Sequence, residues 1–88
     1  MSSEHLSLVL STSPLLVGAG DAARLLGIGR TLFLQMDNSG RLGPMGLNFG
    51  KRRLWSIEEL RMWVQVGTPI RERWERMKMR ESTENIRL

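Results

Sequence analysis

The chain has 88 residues, no cysteine and a single histidine, and its thirteen Lys and Arg outweigh nine Asp and Glu to give a net charge of +4. That length bounds it to one small domain with tails. The missing cysteines exclude disulfides and thiolate metal sites, and the basic balance, with a pI of about 11.1, leans towards a polyanionic partner.

Residues 1–14 (MSSEHLSLVLSTSP) are serine-rich and end in proline, and read as a flexible tail. Leu6, Leu8 and Leu10 alternate within it and allow a short strand or docked segment. His5 lies in this tail, so a His-based metal site or catalytic triad is not expected. No apolar run is long enough to cross a membrane, and residues 1–20 carry no Lys or Arg, so no basic signal-peptide start is read. A cytoplasmic protein is expected.

Leu15, Leu16 and Val17 precede the first helical pattern and are expected to staple its start to the core. The stretch Ala19 to Leu42 then organises the chain. Ala22, Ala23 and Leu26 share one helical face, with Asp21 in the first turn, where a carboxylate favours the helix dipole. Gly27 stands where a left-handed helix end is expected, and Ile28 plugs the corner. A second helix begins near Arg30, repeats apolar residues at Phe33 and Met36 with Leu32 and Leu34 beside them, and ends at Ser39-Gly40. This is the pattern of a helix-turn-helix. The start of such a second helix meets base edges in a major groove, which points to Arg30, Thr31 and Gln35. Arginine can donate twice to guanine, and glutamine pairs with adenine in the same two-bond manner.

Gly43-Pro44 signals a turn, after which Met45, Leu47 and Phe49 alternate with Gly46 and Asn48 as a strand with one apolar face. Gly50-Lys51 turns the chain, and Arg53-Leu54-Trp55 returns as a second strand. Lys51, Arg52 and Arg53 are thereby set at or beside the tip of a basic hairpin. Next to a helix-turn-helix such a hairpin is a wing, whose cations reach phosphates.

Ser56 and Glu59 fit a capping box at the start of a third helix, with Leu60, Trp63 and Val64 as its buried stripe and an end near Gly67. Trp55 and Trp63 are expected in the core. Thr68-Pro69 is expected to open a last helix, with Ile70, Trp74 and Met77 on its docking face and a mosaic of charges elsewhere. The resulting division is a tail over 1–14, a winged helix-turn-helix over 15–67, a docked helix over 68–81 and a fraying tail over 82–88. The fold class is mainly α with a small β-hairpin, built on three to four helices.

In order, DAARLLGIGRTLF, NSGRLGP, GKRRLW and SIEELRMWV give a chain that resembles the small excisionase-type DNA-binding proteins of phages, plasmids and integrative elements. These are a compact winged-helix branch related to the mercury-resistance regulator superfamily. The resemblance covers about residues 15–67 and extends through Trp74. It implies DNA contacts at Arg30, Thr31, Gln35, Lys51, Arg52 and Arg53, no catalysis, no cofactor and no metal. It implies a role as a transcription regulator or recombination directionality factor, with double-stranded DNA as partner and an integrase or self-association on DNA beside it. The chain departs from the family at Gly29, where Ser or Thr usually caps the second helix, and at Leu34, where a basic or aromatic polar residue is common. The alternative is a protein-binding adaptor that keeps the fold, using Leu32 and Leu34 as an apolar patch. An enzyme is not expected, because no nucleophile-base pair, metal cluster or phosphate loop can be assembled.

Overall fold

A computed structural model describes the backbone of residues 14–86 and the side chains of residues 14–80. The order is β1 (Leu16–Val17), α1 (Ala19–Leu26), α2 (Arg30–Ser39), β2 (Leu47–Phe49), β3 (Arg52–Ser56), α3 (Ile57–Gln65) and α4 (Arg71–Ile86). The fold is mainly helical, a winged helix-turn-helix with four helices among the described residues. The tail alternation at Leu6, Leu8 and Leu10 falls outside them.

The helix-turn-helix forms for the local reasons that the glycines supply. Gly27 is left-handed at φ 78°, and its N–H donates to the Arg24 carbonyl while that of Ile28 donates to Ala23. The chain therefore reverses within one turn and starts α2 at Arg30. Gly40 ends α2 in the same way, at φ 81°. Ala22 and Ala23 are buried, and their small side chains let α1 and α2 approach over the buried Phe33.

Leu16 and Val17 do more than staple a helix. They pair antiparallel with Ser56 and Trp55, which makes the hairpin part of a three-stranded sheet in the order β1-β3-β2. This third strand fixes Trp55 in the core, where its ring meets Phe33 edge-on at 4.9 Å between centroids. Burying both aromatics adds a packing term of about 1 kcal/mol beyond their area.

Helices α3 and α4 depart from the sequence reading. Ser56 Oγ accepts from the Glu59 N–H at 3.1 Å, but the Glu59 carboxylate does not complete the capping box. It accepts instead from Trp74 Nε1 and Lys78 Nζ, both at 2.7 Å, because α4 packs close enough to offer charged and indole donors. Val64 is exposed, so the buried stripe of α3 is Leu60 and Trp63 alone.

Thr68 does not cap α4. It adopts φ 53° after Gly67 at φ 97°, and these two left-handed residues swing the chain so that the Pro69 carbonyl accepts Trp63 Nε1 at 2.7 Å. The Arg71 N–H then donates to Gly40 O at 2.9 Å, and the helix begins there rather than at residue 68. It runs to Ile86, beyond the expected end at residue 81, since neither Gly nor Pro follows Pro69. Only Trp74 of its expected apolar face is buried; Ile70 and Met77 are exposed, and Arg71 and Lys78 complete the docking with polar bonds.

In the wing, Met45, Leu47 and Phe49 form the expected apolar series, and each is about half exposed.

Candidate nucleic-acid interface

Helix α2 turns by about 100° per residue, so position in the sequence fixes the direction of each side chain. Phe33 and Met36 point inward. Arg30, Leu34, Asn38, Thr31 and Gln35 then follow as one contiguous arc. Arg30, Thr31, Gln35 and Asn38 are exposed, while Leu34 is half-buried against the core. Leu32 is exposed on the far edge of this arc, so Leu32 and Leu34 do not make one patch.

Gly29 precedes α2 with extended backbone and no side-chain cap, which leaves the first-turn N–H groups of Thr31 and Leu32 without that partner. A helix start of this kind favours negative charge through its backbone dipoles.

The wing is set by its register. Leu47 pairs with Leu54, Asn48 with Arg53 and Phe49 with Arg52, around a Gly50-Lys51 turn. Gly50 has φ 64°, the positive value that a two-residue hairpin turn needs at its first central position. Because side chains alternate along a strand, Arg53 and Trp55 share the inner face and Arg52 and Leu54 the outer one. The three cations read from the sequence therefore divide. Lys51 sits in the turn, Arg52 projects outward, and Arg53 turns inward towards α2.

Arg53 is the cation that joins the wing to the helix. Its guanidinium lies 5.6 Å from the centre of the Trp55 ring and 3.6 Å from Asp37 Oδ2. Gly46 leaves the space for this: a Cβ there would lie 2.4 Å from Arg53 Nε. Arg30, Leu34, Asp37, Asn38, Arg53 and Trp55 line one open cleft of about 400 Å³ between α2 and β3. The structure thus brings Arg30 and Arg53 together and keeps both exposed. Trp55 lines this cleft, and its indole N–H is buried with no hydrogen-bond partner among the described residues.

Asp37 was not singled out by sequence, and it organises the site. It is 8% exposed, and Arg71 Nη2 donates to its Oδ1 at 2.7 Å while Arg71 Nε donates to Leu42 O. Helix α4 thereby holds the end of α2 in place. Asn38 is the other residue the sequence reading missed; only the helical angle between Arg30 and Thr31 could have found it.

Among the described residues no group of three His, Cys, Asp or Glu could hold a metal ion. Nor is any helix there long and apolar enough to cross a membrane. No protein-family model, curated protein or solved structure matches this chain.

Proposed function

We propose that the protein binds double-stranded DNA in a sequence-specific manner, without catalysis, as a transcription regulator or excisionase-like recombination directionality factor. The observation that carries this reading is the shared cleft: Arg30 at the start of α2 and Arg53 on the wing line one opening and both remain exposed. A duplex whose major groove receives α2 would present its sugar-phosphate backbone to that opening.

In this reading Arg30 and Gln35 contact base edges, with Thr31 and Asn38 between them. Arg30 matches the two acceptors of guanine, and Gln35 matches the acceptor and donor of adenine. Lys51 and Arg52 neutralise phosphates from the wing, and Arg53 sits between wing and helix. A single small module buries about 600–1,000 Å² on DNA, which is little for high specificity. The reading therefore includes an integrase, or a second copy bound alongside, as partner, and implies a cytoplasmic protein.

Selection from a random duplex library with the purified protein tests it. The expected result is one short enriched motif. Arg30→Ala then weakens binding to that motif by about 1–3 kcal/mol and changes binding to random duplex little. A library that returns no motif, with no retained duplex, would support the adaptor alternative instead.

A further inference from the structure

We propose that the outer face of the wing is a minor-groove wedge, with Phe49 as the side chain that enters between adjacent base pairs and kinks the duplex. This rests on the DNA-binding reading above.

The outer face is defined by the pairs Leu47–Leu54 and Phe49–Arg52. Trp55, on the opposite face, belongs to the core, so these residues point away from the protein. Phe49 is 51% exposed and Leu47 is 48% exposed, on an edge strand that contains no charged residue. Edge strands in soluble domains are usually guarded by charge or proline against pairing with other chains. Here an aromatic ring stands next to the turn.

The charges around it identify the occupant. Lys51 follows in the turn and Arg52 lies directly across from Phe49. An apolar side chain bracketed by cations is complementary to a stack of bases bracketed by phosphates. Against a second copy through the same face, Lys51 and Arg52 of both copies would be gathered into one interface, and neither β2 nor β3 carries an acid to pair with them. A minor groove about 6 Å wide does not admit a β-ribbon unchanged. An inserted apolar wedge opens it by unstacking one step, bending the duplex by about 20–90° towards the major groove. At that step the minor groove faces the wing, so the bend is directed away from the wing and widens the groove around the ribbon.

The test uses the full chain and a duplex of about 30 base pairs. The duplex carries the motif from random-site selection, a donor and acceptor dye at its ends, and 2-aminopurine at successive positions beside the motif. Wild-type protein is expected to shorten the end-to-end distance and to raise 2-aminopurine emission at one step. Phe49→Ala is expected to abolish both signals while leaving the salt dependence of binding unchanged, because no phosphate contact is removed. A wild-type complex that leaves the duplex straight, or a Phe49→Ala complex that bends it equally, would overturn the wedge and leave the DNA-binding reading standing. Wild-type protein that binds no duplex would overturn both. Dimerisation without DNA that Phe49→Ala abolishes would assign the face to a second copy and also overturn the wedge.

Discussion

Arg71 donates to Asp37 across the seam between α4 and α2, at 2.7 Å, whereas Arg53 approaches the same carboxylate only to 3.6 Å. The two cations therefore serve different ends. Arg71 is mostly buried and holds α2 against the body, while Arg53 is 45% exposed and keeps part of its guanidinium open to solvent.

Truncating each arginine separates the two roles. Arg71→Ala leaves a buried carboxylate with one distant partner and is expected to cost about 2–3 kcal/mol of stability. Arg53→Ala is expected to cost less than about 1 kcal/mol, as exposed pairs do. Urea denaturation followed by tryptophan fluorescence measures both. Equal losses would mean that Arg53 is a structural residue and not a DNA contact.

Two glycines make a second comparison. A Cβ on Gly43 would lie 2.4 Å from Trp63 Nε1 and 3.0 Å from Trp74 Cγ, and both rings are buried. Neither ring can yield without breaking its hydrogen bond to Pro69 or Glu59. Gly43→Ala is expected to cost about 1–3 kcal/mol through overpacking. A Cβ on Gly46 meets only the Arg53 side chain, which can move aside. Gly46→Ala is expected to leave the melting temperature almost unchanged and to weaken duplex binding by displacing Arg53.

Burial disfavours the ammonium of Lys78, but the hydrogen bond and charge of Glu59, with those of Glu75, outweigh it and hold its pKa above the ordinary 10.5. A group raised on folding stabilises the folded state fully below its unfolded value and loses that contribution as pH rises through the folded one. The wild-type urea midpoint is therefore expected to fall from about pH 10 upward, and the midpoint of Lys78→Met to fall less over the same range. Identical pH profiles would show that the Lys78 pairs contribute nothing.

Much of the fold was legible because it is encoded locally. Gly27 and Gly40 mark helix ends by needing left-handed backbone, and Phe33, Leu60 and Trp63 mark buried faces by helical spacing. What the sequence concealed depends on distant partners. Asp37 reads as a surface acid until Arg71 arrives from 34 residues away. Glu59 stands at the position that a local capping rule requires, yet its carboxylate accepts from Trp74 and Lys78 of α4 instead. Thr68-Pro69 had the chemistry of a helix start, but the bond from Trp63 to Pro69 fixed the chain in a tighter path. In the candidate site, the run Lys51-Arg52-Arg53 looked like one basic cluster. Strand alternation divides it between two faces, which a linear reading of charge does not reveal.

The central claim is that the α2 arc and the wing engage one duplex together. Its most direct measurement is a salt series of duplex affinity by fluorescence anisotropy, on the selected motif and on random sequence, for wild type and for Lys51→Ala/Arg52→Ala. Removing two phosphate contacts is expected to lower the slope of log affinity against log salt by about 1.8, on both duplexes alike. An unchanged affinity and an unchanged slope would contradict the account, because the wing would then not touch the DNA that α2 reads.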